Sequence, residues 1–250
     1  PEIRKGLLYS MAIAAAIHVV LLVLSALLSR PLKLDAVEQV NVIYSNAAAL
    51  VIPLVKALMG DAYVIYSCAF IIVQLVLLWT HASSLLQGSS ALDWKKVLTN
   101  INMIAIAAGA LLYWFRVVLP APLQNTMSTV GNMMGPMGML LAGMAIAEKP
   151  LREVFCTRRN YLPTVLRLVV CPLVVLVLLW VCHASRWVAD GKNILMTVYL
   201  AAITPACATV TSMAQLYDRD AAHSSALYVL TTLLSIVSMP VMIGLFDLLL

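Results

Sequence analysis

The hydrophobic pattern of this chain consists of long apolar runs separated by short polar or basic loops. A membrane helix needs about 20 consecutive apolar residues, and most of the runs reach that length. The pattern therefore predicts an all-α integral membrane protein with about eight transmembrane helices. The predicted spans cover residues 6–29, 42–60, 62–81, 97–115, 123–147, 161–184, 194–217 and 222–250.

Two of these runs, 42–60 and 194–217 with its broken stretch at 198–217, carry polar residues and a proline at the depth where a membrane helix should continue without interruption. A proline removes a backbone donor and frees a carbonyl about one turn earlier. Hydrocarbon offers no water to satisfy these groups, so a broken helix survives only where protein or a water-filled cavity receives it. Two broken helices at corresponding places in two halves of a chain indicate a transporter's substrate site.

The two halves of the chain are similar in pattern. In each half a long span precedes a broken helix, which ends in an acidic turn at Gly60-Asp61 or at Asp218-Arg219-Asp220 and is followed by one more span. We divide the chain into a first repeat at 1–88, a short linker at 89–96 and a second five-helix repeat at 97–250. Repeats of five spans would have opposite orientations in the membrane. On this division the first repeat lacks two N-terminal helices. The distribution of lysine and arginine among the loops places the linker in the cytoplasm.

The composition limits the classes of function. Hydrophobic residues make up 63% and charged residues 11% of the chain, with a mean hydropathy of +0.97. The net charge of +5 comes from basic residues in short loops, which is typical of membrane topology and argues against a nucleic-acid partner. The five cysteines are scattered and lack metal-ligand spacing. Since no nucleophile elbow, zinc motif or phosphate loop is present in the sequence, we expect no enzyme activity, no metal and no cofactor.

Several stretches together resemble one known family. They are Ser45-Asn46 followed by Pro53-Leu54, VGNMMGPMGMLLAGMAIAE, AAITPACATVTSMAQLYDRD and TTLLSIVSMPVMIGLF. In this order they are similar to the auxin efflux carrier family, and in particular to its bacterial branch, often labelled malate permease. The resemblance implies ten helices in two inverted five-helix repeats, with the fourth and ninth crossing at their breaks and the substrate bound beside the crossing. This chain would correspond to helices three to ten.

The resemblance and the chemistry of broken helices give a set of candidate residues. A helix N-terminus carries a partial positive charge that suits a carboxylate, and neutral side chains can add hydrogen bonds. The predicted substrate-binding residues are Ser45, Asn46, Asn132, Thr204 and Pro205, and the predicted helix breaks are at Pro53, Pro136 and Pro205. The alternative is that these polar residues only join helices to one another. We expect Arg167 to extend toward the cytoplasmic interface, as arginine near a span end commonly does.

These observations favour a secondary transporter or facilitator that moves a small organic anion, a malate-like carboxylate or an auxin-like acid, by alternating access. The expected location is the inner, cytoplasmic membrane, with multiple spans. The expected partners are the anion and membrane lipid, and a homodimer is left open. A sodium-coupled organic-anion symporter of the bile-acid type remains an alternative, as does a membrane sensor or an intramembrane enzyme.

Overall fold

Helices form almost all of the regular structure in the described part of the chain. The structure is a computed structural model that describes residues 2–88, 99, 101–133, 136, 137, 140, 143, 144, 147 and 151–250. The helices are α1 (Glu2–Ser29), α2 (Ala36–Ile43), α3 (Ala47–Met59), α4 (Asp61–Gln87), α5 (Ile101–Trp114), α6 (Ala121–Asn132), α7 (Leu151–Cys156), α8 (Arg158–Val181), α9 (Gly191–Ile203), α10 (Ala208–Leu216) and α11 (Ala221–Leu249). One π-helical turn interrupts α4 at Leu78–Ala82 and another interrupts α8 at Leu166–Val170.

Four of the described helices, α1, α4, α8 and α11, are long and apolar enough to cross a membrane. Large apolar side chains remain exposed on their outer faces, including Val19 and Leu27 on α1 and Ile236 and Val237 on α11. An apolar face of this kind is expected where lipid, not water, is the surrounding solvent. The expectation of an all-α membrane protein is confirmed.

Four shorter helices form two interrupted spans. One consists of α2 and α3, and the other consists of α9 and α10. These segments lie at the centre of the bundle: α9 is almost wholly buried, and its core residues Tyr199, Leu200 and Ala201 have no exposed surface. The long helices α1, α4, α8 and α11 pack around them.

Local sequence determines where these segments begin and end. The first begins with a capping box, in which Asp35 accepts from the Glu38 amide and the Glu38 carboxylate accepts from the Asp35 amide. Its second half ends at Gly60, whose φ of 93° favours glycine. The second interrupted span ends at the predicted acidic turn, where Asp218 adopts a φ of 54°.

The position of the first break corrects the sequence analysis. Pro53 lies inside α3, which continues without interruption from Ala47 to Met59, and its side chain is exposed. The chain is instead interrupted at residues 44–46, between α2 and α3. The reason is that the break is stabilised by hydrogen bonds from distant parts of the chain, whereas a proline in a helix interior can be accommodated by a local bend. The second break, at residues 204–207, does contain the predicted Pro205.

The middle of the chain is described in part. Helix α5 lies within the predicted span 97–115, and α6 begins two residues before the predicted span 123–147 and covers its first part. The described side chains of α6 are exposed. The linker at 89–96 lies outside the described residues. The division of the chain into two inverted repeats stays a prediction.

Candidate functional site at the crossing of the broken helices

The two interrupted spans cross at their breaks and are joined there through the backbone. The Asn46 amide donates to the Pro205 carbonyl at 2.8 Å, and the Cys207 amide donates to the Tyr44 carbonyl at 3.2 Å. Ser45 and Ala206 therefore form an isolated antiparallel bridge. Each extended segment satisfies backbone groups of the other, which is the requirement for non-helical backbone at membrane depth.

A side chain from the following span satisfies the middle residue of each break. Gln74 of α4 binds Ser45 three times: its Oε1 accepts from the Ser45 amide at 3.0 Å and from the Ser45 hydroxyl at 2.6 Å, and its Nε2 donates to the Ser45 carbonyl at 2.7 Å. At the second break, the Ala206 amide donates to the hydroxyl of Thr231, on α11, at 3.2 Å. Gln74 and Thr231 therefore have corresponding positions, because each lies on the helix that follows its interrupted span.

Arg167 binds the carbonyl groups at the C-terminal ends of both α2 and α9. Its side chain is buried, with a relative exposure of 1%. The guanidinium donates to the carbonyls of Val42 and Ile43 at the end of α2, both at 3.1 Å. It also donates to Ala202 at 2.6 Å and to Thr204 at 2.8 and 3.1 Å, at the end of α9. The π-helical turn Leu166–Val170 contains this arginine, and such turns are frequent at functional sites.

The C-terminal and N-terminal helix ends at the crossing differ in whether a side chain binds their free backbone groups. The C-terminal ends of α2 and α9, which carry partial negative charge, face a guanidinium. The N-terminal ends of α3 and α10 carry partial positive charge. The first helical bond of α3 runs from the Leu50 amide to the Asn46 carbonyl at 3.1 Å, so the amides of residues 47–49 precede the helical bonds. Electrostatically, the N-terminal ends suit an anion.

The structure brings four of the five predicted substrate-binding residues together. Ser45, Asn46, Thr204 and Pro205 all lie in or beside the paired segments, and all but Asn46 have their polar groups engaged by the protein. The Ser45 hydroxyl donates to Gln74, the Thr204 hydroxyl donates to the Ala201 carbonyl at 3.1 Å, and Pro205 contributes its carbonyl. Contact with substrate at these residues stays a prediction.

Asn46 is different because its side-chain amide has no partner among the described residues. It is the residue immediately before α3, yet it forms no side-chain cap. Its relative exposure is 4%. Its side-chain nitrogen and oxygen are not among the fully enclosed polar atoms that lack a partner in the described part of the chain, so they keep some accessible surface. Among the predicted residues at the crossing, Asn46 is thus the one whose polar side-chain atoms are available to a ligand, and its contact with substrate stays a prediction.

Comparison with known proteins supplies the class of function. The family described as membrane transport protein matches residues 90–243, which is more than half of the chain. The chain belongs to the membrane transport protein family. This family includes the auxin efflux carriers that the sequence resembles, so the resemblance is confirmed at the level of the family. No curated protein matches the chain significantly.

Membership of the membrane transport protein family agrees with the apolar helices and supports a multi-pass membrane transporter. It also argues against an enzyme, since the family is one of transporters. The bacterial malate-permease-like branch, the substrate and the particular membrane stay predictions.

The predicted site residues outside the crossing are placed elsewhere. Asn132 is exposed at the end of α6, and α6 is not among the helices that pack around the crossing in the described part of the chain. The structure therefore does not bring it to Asn46. Pro136 has helical conformation, but residues 134, 135, 138 and 139 on either side lie outside the described residues, so the predicted break there is not described.

Two residues central to the crossing were not among the predicted site residues. The expectation that Arg167 extends to the membrane interface is wrong, because its guanidinium turns inward to carbonyls that would otherwise be unsatisfied. An ionisable residue inside a span is a signal of function in its own right, and that signal was available in the sequence. Gln74 carried a weaker signal, as a polar residue within a predicted span.

A second polar cluster connects α2, α10 and α11 near the crossing. The Asn41 amide donates to the Ser224 hydroxyl at 3.1 Å, and Ser224 lies 3.2 Å from the Thr211 hydroxyl. The Asn41 Oδ1 atom is buried without a partner among the described residues, as is Nε2 of His18 on α1. The cluster extends the polar region of the crossing by one helical turn from Ser45 toward the start of α2.

At the start of α2, a buried carboxylate ties the first interrupted span to its neighbours. Glu38 is 1% exposed and forms a two-point ion pair with Arg159 of α8, with both nitrogen–oxygen distances at 2.5 Å. The ligand atoms of Asp35, Glu38 and His223 lie within 4.8 Å of one another, which could hold a metal ion. Since Arg159 already binds both oxygens of Glu38, an ion-pair network accounts for this arrangement without a metal.

A separate cleft of about 130 Å³ lies between α1 and α8. Its lining is apolar and includes Ile13, Ile17, Leu178 and Trp187, but none of the predicted site residues. Without polar groups to fix an anion, this cleft is better suited to a lipid chain than to the transported solute.

Proposed function

We propose that this chain moves a small organic anion across the cytoplasmic membrane by alternating access, with the anion bound beside the crossing. The observation that supports this most directly is the unpartnered amide of Asn46, buried where α3 begins. The substrate class is a carboxylate, malate-like or auxin-like. The branch of the family, the inner-membrane location and the inverted repeats belong to the same proposal.

The electrostatics of the crossing favour an anion over a cation. Arg167 occupies the negative C-terminal ends of α2 and α9, which leaves the positive N-terminal ends of α3 and α10 for a ligand. A carboxylate can accept from backbone amides at these ends and from the side chain of Asn46. Such a site holds the anion with neutral donors, so binding is weak enough to permit release on the other side.

The packing suggests which part moves. The crossing segments and the four long helices share one buried core, whereas the described side chains of α6 are exposed. We propose that the bundle around the crossing rocks as a unit against α5 and α6. Rigid-body movement of one bundle against another around a fixed site is the usual form of alternating access.

The test is uptake of radiolabelled malate and of indole-3-acetate into proteoliposomes that contain the full chain. We expect saturable flux of at least one of these acids, reduced about tenfold by Asn46→Ala, since one hydrogen bond to a charged group is worth about 1.5 kcal/mol or more. The matched control is Asn193→Ala, an exposed asparagine at the start of α9, which should leave flux unchanged. Flux that depends on a sodium gradient would favour the bile-acid type of symporter, and no flux of any organic anion would favour a sensor.

A further inference from the structure

The four carbonyl groups around Arg167 resemble a cation site. They come from the C-terminal ends of two half-helices and from the unwound residue Thr204. In carriers with broken helices, carbonyls of unwound segments and C-terminal half-helix ends coordinate the coupling cation. In this chain the same kind of carbonyl set surrounds a guanidinium.

Arg167 leaves no room for an ion in this set. A guanidinium has five N–H donors, and all five are used: one from Nε, two from Nη1 and two from Nη2, at distances of 2.6–3.1 Å. No carboxylate among the described residues forms an ion pair with it.

The positive charge is balanced by helix dipoles. Each helix C-terminus is equivalent to roughly half a negative charge, so the ends of α2 and α9 together offset the single charge of Arg167. An arginine side chain stays protonated in proteins, and its buried position keeps it in place. A sodium ion in the same place would have to bind and leave in each transport cycle.

We propose that Arg167 is a built-in substitute for a coupling cation. It holds the two breaks together permanently, so the crossing is complete without sodium. The consequence for transport rests on the proposed function: the anion crosses without a co-transported sodium ion. The consequence for stability does not depend on transport and can be measured by itself.

The first experiment measures thermal unfolding of the purified full chain in sodium, potassium, choline and guanidinium chloride at equal, low concentration. The wild type should melt at the same temperature in sodium, potassium and choline. Arg167→Ala exposes the four carbonyls, and we expect sodium or guanidinium to raise its melting temperature over choline by about 3 °C or more. Arg186→Ala, which removes an exposed arginine beyond the end of α8, is the matched control and should show no ion dependence.

An arginine that acts only as a packing element gives a different result. In that case Arg167→Ala melts lower but equally in all the salts, and this outcome overturns the proposal. A wild type that sodium stabilises specifically over potassium and choline also overturns it. Arg167→Lys serves if the alanine variant does not fold: it retains the charge, so it should fold and melt independently of sodium, and sodium-dependent melting of this variant contradicts the proposal.

The second experiment separates this inference from the proposed function. Anion flux into proteoliposomes is measured with sodium, potassium or choline on both sides and then with a sodium gradient. Equal flux in all conditions supports the substitution of the cation by Arg167, and flux that requires sodium overturns it. If no organic anion is transported in any condition, the proposed function fails, while the ion dependence of melting still decides the role of Arg167.

Discussion

The two breaks at the crossing have the same backbone arrangement but different side chains. In both, an extended residue pairs with its counterpart, and the span that follows supplies a polar partner. The first break has Ser45 and Asn46, with three hydrogen bonds to Gln74. The second has Pro205, Ala206 and Cys207, with one bond to Thr231. The two breaks thus share the backbone geometry that forms the crossing, and under the proposed function the polar side chains of the first break select the anion.

The largest effect is expected from removing the partner of the first break. Gln74→Leu leaves the amide and carbonyl of Ser45 buried without partners, at about 1–3 kcal/mol for each group. We expect the free energy of unfolding to fall by about 3 kcal/mol or more, measured by chemical denaturation of the protein in detergent.

The matched variant at the second break is Thr231→Val. It leaves only the Ala206 amide without its acceptor, so we expect a loss of about 1–2 kcal/mol. Equal losses for the two variants would mean that the breaks are supported equally and would contradict the comparison.

The next effect concerns the start of each interrupted span. The first is tied by the ion pair of the buried Glu38 with Arg159. The second begins at the exposed Asp190, which accepts from the side chains of Asn193 and Tyr63. Glu38→Gln should lower the free energy of unfolding by about 2 kcal/mol, because hydrogen bonds to a charged group are worth about 1.5–3 kcal/mol. Asp190→Asn, at the exposed site, should cost less than about 1 kcal/mol. Thermal unfolding of the two variants side by side decides the order.

The next pair of variants should change the free energy of unfolding less than the variants above, but should differ clearly in the KM for the transported anion. Asn46 and Cys207 occupy corresponding positions, each directly before the second half of its interrupted span. Asn46→Ala should raise the KM for the transported anion about tenfold with little change in stability, whereas Cys207→Ala should leave KM within about twofold. A stronger effect of Cys207→Ala would assign anion binding to the second break.

The smallest effect is expected at Pro53, which lies in α3 and not at a break. Pro53→Ala restores a backbone donor to the helix interior, and we expect a stabilisation of roughly 1 kcal/mol or less with unchanged flux. Loss of flux in this variant would show that a bend at Pro53 takes part in transport.

The fold could be predicted from the sequence wherever the signal was local. Long apolar runs gave the spans that became α1, α4, α8 and α11, and a proline among polar residues located the second break. The first break was predicted at the wrong residue, because its hydrogen bonds come from residues far away in the sequence. Gln74 lies 29 positions from Ser45, and no local pattern shows that pairing.

The candidate site shows the same limit. The position of Asn46 and Thr204 near a crossing followed from the resemblance to a family and from the polar pattern. The role of Arg167 did not follow, since its acceptors lie 125 positions away at Val42 and 37 positions away at Thr204. Backbone carbonyls carry no sequence signature, so a side chain that binds them cannot be paired from composition or spacing.

The π-helical turn in α8 has a consequence for how its buried side chains line up. Arg167, Cys171, Val175 and Leu179 are all buried and follow one another at intervals of four residues. In an α-helix of 3.6 residues per turn, each such interval drifts by about 40° around the axis, so the row would leave the bundle interior before it reached Leu179. The wider turn at Leu166–Val170 offsets part of that drift and keeps the row on one side. A helix without this turn would place the guanidinium of Arg167 and the side chain of Leu179 on different sides of α8, so only one of them could lie in the bundle interior.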